Sequence, residues 1–375
     1  MRPIRVLVVD DAVVVRRVVS DALSAAPDVE VVATAANGRI ALQRIPQCTP
    51  DLVTLDVEMP EMDGLETLRR LRVEYPTLPV IMFSTLTERG ATTTLDALAL
   101  GASDYITKPS HTGSLEQSMA RLREELLPRI RALAGRSAPA PAARAAVPAA
   151  GTRTTPPLPV RTMARPPGVL AIGVSTGGPN ALGALLPCLR ADLPVPVVIV
   201  QHMPPMFTRL LAERLDAQCA LTVREAAGGE RLTPGTIYIA PGGSHMIVER
   251  RGTEVVTALT QTPPENSCRP AVDVLFRSVA ATYGAEALAL VLTGMGQDGL
   301  RGCEEIRDRG GRILAQDEAS SVVWGMPGFV AKAGLAEKVL PLGDLAPEIN
   351  HLTTGGRIGR RTEPQAGAGR TAVAS

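Results

Sequence analysis

The chain has 375 residues, 45% of them hydrophobic and 21% charged, with a formal net charge of +1. That length suggests two or three domains. The neutral balance gives no electrostatic case for nucleic acid, and an aromatic content of 2% leaves little for base stacking. Five cysteines (Cys48, Cys188, Cys219, Cys268, Cys303) are scattered without a C-x-x-C pair, which reads as reduced thiols rather than disulfides or a zinc site. The early apolar run Val6–Val9 is too short for a leader. No apolar stretch approaches the ~18 residues of a membrane span. The expectation is a cytoplasmic protein with no membrane insertion and no nucleic-acid partner.

Residues 1–133 alternate short apolar runs with helical patterns. Arg5–Val9, Val29–Ala33, Leu52–Leu55, Val80–Phe83 and Asp104–Ile106 read as strands. Val15, Val18, Val19, Ala22 and Leu23 form the clearest helical stripe. Five such units predict a doubly wound parallel sheet, whose ligands sit at the carboxyl ends of the strands. Asp10 and Asp11 follow the first strand and Asp56 ends the third. Three carboxylates at neighbouring strand ends repel one another and call for a divalent cation with a taste for oxygen, such as Mg²⁺. Ser84 and Thr85 end the fourth strand, and Lys108 follows the fifth. A hydroxyl and an ammonium placed there suit a phosphoryl group on Asp56.

The ordered motifs VVDD, LDVEMPEMDG, FST and ITKP resemble the receiver domain of two-component response regulators. The resemblance implies a flavodoxin-like fold, Asp56 as phosphoacceptor and a histidine kinase as phosphodonor. It implies Mg²⁺ held by Asp11 and Asp56, with Asp10 in support and the Glu58 backbone carbonyl as a further ligand. Lys108 would contact the phosphoryl group. Ser84, with Thr85 as the alternative, would be the switch hydroxyl, and Tyr105 the aromatic that rearranges with it.

From 134 to 167 the chain is nearly all Ala, Pro, Arg, Thr and Gly, without hydrophobic periodicity. This composition predicts a flexible linker, and residues 353–375 predict a disordered tail. Between them, residues 168–352 resume strand–helix alternation. The expectation is a largely parallel, Rossmann-like α/β domain. Ala271–Tyr283 reads as a helix with Val272, Leu275, Phe276 and Val279 on its core face. Thr236–Ala240, Met246–Arg250 and Glu254–Leu259 read as short strands, with a small β-hairpin beside the main sheet.

The stretch VLAIGVSTGGP, residues 169–179, carries the first chemistry. It reads as a buried strand ending in a Gly-rich turn, with Pro179 opening a helix. A serine at such a turn is lifted out of the sheet beside free backbone N–H groups. Two further apolar runs end near His202 and Asp298. Serine is a poor nucleophile without an adjacent base. An imidazole supplies one, and a carboxylate orients it. Ser175, His202 and Asp298 are therefore the candidate triad, with a backbone N–H near Asp298 to hold an oxyanion. Other uses stand beside each. His202 has the place of a core histidine, His245 is a rival base, and Asp298 is placed to cap a helix beginning near Gly299. Cys268 reads as a small buried hydrophobe with no neighbouring histidine. The order Ser, His, Asp differs from that of α/β-hydrolases. A second domain that only binds, a nucleotide or a partner, is the alternative.

The segments GVSTGGP, VQHMPPMFTRLLAERL, IYIAPGGSHM, CRPAVDVLFRSVA, LTGMGQDG and AQDEASSVVWGMP stand in the order of the CheB family of chemotaxis protein-glutamate methylesterases. The resemblance implies Ser175 as nucleophile, His202 as base, Asp298 as orienting acid and the Met295 N–H in the oxyanion hole, with no cofactor for the esterase. It implies hydrolysis of glutamyl methyl esters, and deamidation of glutamines, on the signalling helices of a chemoreceptor.

Overall fold

The computed structural model describes residues 2–108, 115–135 and 166–354. The first unit runs β1 (Ile4–Val9), α1 (Val13–Ser24), β2 (Val29–Ala35), α2 (Gly38–Cys48), β3 (Leu52–Asp56), α3 (Gly64–Glu74), β4 (Val80–Ser84), α4 (Glu88–Ala99), β5 (Asp104–Thr107) and α5 (Leu115–Ala134). Its five strands are all parallel, in the order β2-β1-β3-β4-β5. The strand order reverses between β1 and β3. Asp10 and Asp56 stand at the carboxyl ends of those two strands, the usual ligand crevice of such sheets.

The second unit begins with β6 (Val169–Val174), α6 (Gly178–Leu185), β7 (Val197–Gln201), α7 (Phe207–Asp216), β8 (Thr222–Glu225) and β9 (Thr236–Ile239). A separate antiparallel hairpin follows, β10 (His245–Arg251) with β11 (Glu254–Thr260), then α8 (Val272–Tyr283). The chain closes with β12 (Ala287–Val291), α9 (Leu300–Asp308), β13 (Arg312–Gln316), α10 (Met326–Lys332), β14 (Lys338–Leu340) and α11 (Leu342–Thr353). Seven parallel strands form one sheet, ordered β14-β13-β12-β6-β7-β9-β8. Every residue of β6, β7, β9 and β12 is buried. Helices cover both faces of such a sheet, so its central strands read as continuous apolar runs.

Both expected parallel-sheet α/β units are present, and the strand ends differ from expectation by a residue or two. One placement changes. Thr236–Ile239 does not accompany the hairpin but pairs with Val197–Ile199 in the main sheet. Its complete burial is the physical reason, since the hairpin strands keep part of their length in solvent. The strands β8, β13 and β14 were not anticipated; each is short, and two carry polar ends. The expected linker lies outside the described residues except at its margins, where α5 takes in Ala134. The expected tail also lies outside them beyond residue 354. Thr353 does not belong to it: this residue ends α11, is buried, and donates from its hydroxyl to the Ile349 carbonyl. Among the described residues no helix is long and apolar enough to cross a membrane.

The carboxyl edges of the two sheets approach each other. On the first unit the contact is made by α4, β5 and α5, and on the second by α6, α7 and the turns after β6 and β12. Leu95 and Leu98 of α4 belong to the same buried apolar cluster as Leu182 of α6 and Leu211 of α7. The Tyr105 ring stacks on Phe207, with centroids 4.8 Å apart and planes 14° from parallel.

Candidate active site

β12, β6 and β7 are adjacent in the sheet, so the residues following them converge. Ser175 follows β6 and His202 follows β7, while Asp298 lies seven residues past the end of β12. The turn at Ser175 needs Gly177 in the left-handed region, at φ 77°. Close approach matters as much at Gly294. A Cβ there would come within 2.8 Å of the Ser175 Cβ and 2.4 Å of the Met326 sulfur.

Asp298 is the anchor. Its Oδ2 accepts from His202 Nε2 at 2.8 Å and from the Val272 N–H at 2.7 Å. Its Oδ1 accepts from the N–H groups of Asp273 and Gly299 at 3.0 Å and from Asn266 Nδ2 at 2.9 Å. The carboxylate does cap a helix, but the helix is α8, not the one beginning near Gly299. Burial alone would raise the Asp298 carboxyl, yet the imidazole and the donated N–H bonds hold it below the ordinary aspartate value. The N-terminal end of α8 adds its dipole in the same sense. For His202, burial works against charge, but its hydrogen bonds to Asp298 and Cys268 outweigh it and raise the imidazole to about 10.

Nδ1 of His202, the nitrogen turned away from Asp298, lies 3.6 Å from Cys268 Sγ. Cys268 is half-buried and has a histidine neighbour, which corrects its reading as an isolated buried hydrophobe. Asn266 and Ser267, both at positive φ, carry the chain into that position. The Ser175 hydroxyl is in the same cavity, of about 330 Å³, with Met295 and Cys268. Among the described residues no hydrogen bond joins Ser175 Oγ to the imidazole. His245 is fully buried: its Nδ1 accepts from the Ala271 N–H at 3.1 Å, and its Nε2 lies 3.2 Å from the Pro263 carbonyl. It holds the entry to α8 in place and is remote from base chemistry.

Sequence reasoning missed Asn266, whose amide bridges Asp298 and Asp273 at 2.9 Å each. It also missed Gln201, whose Nε2 donates to the Ser175 carbonyl at 3.0 Å. Neither belongs to a spacing that signals chemistry; only their neighbours Cys268 and His202 drew notice.

At the other crevice, ligand atoms of Asp10, Asp11 and Asp56 lie within 4.8 Å of one another. Lys108 Nζ lies 2.8 Å from Asp10 Oδ2 and 2.7 Å from Asp56 Oδ2. Apart from that ammonium, these two buried oxygens have no donor. Burial and the Asp10 charge push the Asp56 carboxyl up to about 6 against the pull of Lys108. Ser84 follows the register partner of Asp56, is fully buried, and has its hydroxyl 3.1 Å from the carbonyls of Thr85 and Gly90. Thr85 pairs with Thr87 instead, hydroxyl to hydroxyl at 3.1 Å. Glu58 is exposed on the loop beyond β3.

The units meet between these two crevices. Asp104, at the start of β5, accepts from Thr176 Oγ1 at 3.1 Å and from Arg129 Nε at 2.9 Å. Thr176 is the residue after the candidate nucleophile. Tyr105, Glu125 and Arg129 of the first unit line the cavity that holds Ser175.

Residues 170–349 match the model of the CheB methylesterase family and residues 6–120 that of the response regulator receiver domain. A protein-glutamate methylesterase/protein-glutamine glutaminase of a Nocardioides species is 57% identical over 93% of this chain and 95% of its own length. The chain belongs to this family. A member from Trichodesmium erythraeum is 53% identical over 93% of the chain and 99% of that relative. The Thermotoga maritima CheB methylesterase catalytic domain is 41% identical over 50% of this chain and 98% of its own, with a TM-score of 0.49. Family membership gives no support to a second domain that merely binds.

The His202–Asp298 contact makes a prediction. In the unphosphorylated chain the His202 imidazole should remain protonated at pH 8 by ¹⁵N NMR. Asp298→Asn removes the charge that raises it, so its titration should move down toward the ordinary value near 6.5. An unshifted titration would show that Asp298 is not the cause.

Proposed function

We propose that this chain hydrolyses glutamyl methyl esters on chemoreceptors, and deamidates their glutamines, through Ser175, His202 and Asp298, under control of phosphorylation at Asp56. The observation that carries the reading is the His202–Asp298 bond at 2.8 Å in one cavity with Ser175. Residues 1–133 are proposed as the receiver and 168–352 as the catalytic domain, joined by 134–167. The setting is the cytoplasm.

In the reaction Ser175 Oγ attacks the ester carbonyl and His202 Nδ1 takes its proton. Asp298 keeps the imidazole in the tautomer with a proton on Nε2 and stabilises the imidazolium. The oxyanion is held by backbone N–H groups. The Met295 N–H makes no hydrogen bond among the described residues, which supports its assignment to that role. His202 then protonates the departing methanol, or ammonia from glutamine. Water attacks the acyl-enzyme with His202 again as base.

The receiver-covered state is a resting one, with Tyr105, Glu125 and Arg129 of the first unit lining the cavity that holds Ser175.

At the receiver crevice, three carboxylates, with Oδ2 of Asp10 and of Asp56 met only by the Lys108 ammonium, fit Mg²⁺. Asp11 and Asp56 would hold it, with Asp10 in support and the Glu58 carbonyl completing the set. The ion supplies charge neutralisation for a phosphoryl group arriving from a histidine kinase. Lys108 would contact that phosphoryl group, and Ser84 would turn toward it in preference to Thr85. Tyr105, stacked outward on Phe207, would then leave the catalytic domain.

Three outcomes follow from this reading. Ser175→Ala should lower methanol release from methylated receptor membranes by several orders of magnitude, with a comparable and non-additive loss for His202→Ala; a variant keeping most of its turnover defeats the triad. Acetyl phosphate should label Asp56 only with Mg²⁺ present and not in Asp56→Asn, as read by intact mass. A chain starting at Gly168 should release methanol faster than the unphosphorylated full chain, by roughly 5- to 150-fold for an ordinary coupling; equal rates would exclude obstruction by the receiver.

A further inference from the structure

Among the described residues, two of the contacts between the units are ionic and lie on α7. Arg209 Nη2 is 2.7 Å from Glu88 Oε1, and Arg214 Nη1 is 2.6 Å from Asp96 Oδ1. Both acids belong to α4, eight residues apart. That is about 12 Å along a helix, on the same side. These pairs are half-exposed, and exposed pairs hold domains together weakly. The docking already has the Tyr105–Phe207 stack and a shared apolar cluster.

The place of these arginines is more informative than their number. A second cavity, of about 440 Å³, opens between α4, α6 and α7, lined by Leu95, Ala99, Gly183, Leu211 and Arg214. Pro179 lines both this cavity and the one that holds Ser175. Without α4 this cavity opens beside the one that holds Ser175; Arg214 lines it, and Arg209, on the same helix, keeps its pair with Glu213 at 2.8 Å.

If the substrate is a helix carrying several glutamyl esters, its chemistry changes as the reaction proceeds. Each turnover converts a neutral ester into a carboxylate. Every partly processed substrate helix therefore presents carboxylates beside its remaining esters. That is the pattern α4 presents here, with Glu88 and Asp96 on one side of a helix. We propose that α4 occupies the seat of the substrate helix, and that Arg209 and Arg214 recognise carboxylates flanking the ester under attack. This rests on the esterase reading above and adds to it a preference for partly demethylated, acidic helices. The receiver then inhibits by imitation: its own helix holds the seat and pairs with Arg214 and, alongside Glu213, with Arg209 until it departs.

The test uses the full chain phosphorylated with acetyl phosphate and Mg²⁺. Methanol release is measured from receptor membranes in which the non-reacting glutamyl positions are Glu or Ala, alongside hydrolysis of p-nitrophenyl acetate. Wild type should prefer the Glu receptor. Arg209→Ala with Arg214→Ala should lower kcat/KM on that receptor by about 5- to 10-fold, mainly through KM. It should abolish the preference and leave the small ester untouched, which also reports that the chain is folded. Arg209→Lys with Arg214→Lys should restore most of the loss. Glu88→Ala with Asp96→Ala breaks the same pairs from the other side. It should raise the unphosphorylated rate and leave the phosphorylated receptor kinetics unchanged. Full receptor kcat/KM in the arginine-to-alanine variant, or a Glu preference that survives it, overturns the proposal. A wild-type chain that cleaves the small ester but releases no methanol from any receptor overturns the esterase reading instead.

Discussion

The catalytic unit depends on one buried carboxylate. Asp298 accepts bonds from the first N–H groups of α8, from Asn266 and from His202. It therefore fixes a helix, a loop and the His202 imidazole with a single charge. An isolated buried carboxylate would neutralise itself by taking up a proton. Here the helix end and the imidazole hold it below the ordinary aspartate value, and its charge in turn raises the imidazole. Stability and reactivity share this group. The N-terminus of α8 is capped by a residue distant in sequence, and Asp298 gets its rigidity from the helix it caps.

The second constraint is topological. Parallel sheets gather their functional loops at the carboxyl ends of strands, and this chain sets two such edges against each other. The aspartyl crevice and the cavity that holds Ser175 thus stand at facing edges rather than remote ones. The contact reaches the residue next to Ser175 through Thr176 and Asp104. It is mixed in character, with an aromatic stack, an apolar cluster and two ion pairs on α7. Such a surface can hold a tethered domain without great affinity, since a tether keeps its local concentration high.

Much of this was legible in the residues. The acids after β1 and β3, the lysine after β5, and the Ser, His and Asp near the ends of adjacent strands all signal through residue type and position. The parallel order followed from alternating patterns. What stayed hidden depends on contacts between segments far apart in the chain. Thr236–Ile239 looks like its hairpin neighbours until its burial places it in the main sheet. Cys268 has no histidine near it in sequence, yet a loop through two positive-φ residues brings it to His202. Asp298 was recognised as a cap but for the adjacent helix, because nothing local reveals that α8 ends against it. Nothing in the local sequence singles out Arg209 and Arg214; their role shows only where α4 pairs with them.

β5 has only four residues, a span of about 13 Å. Its first residue clasps the turn beside Ser175, and the residue just beyond its end reaches into the aspartyl crevice. The two crevices are thus bridged by one short strand, braced by Arg129 from α5. Modules joined this way are not freely interchangeable. A receiver grafted from another regulator would bring its own acids and lysine and would take up phosphate normally. Lacking the Asp104–Arg129 clasp, it would have lost a grip on the esterase turn, and its phosphorylation would have less to let go of.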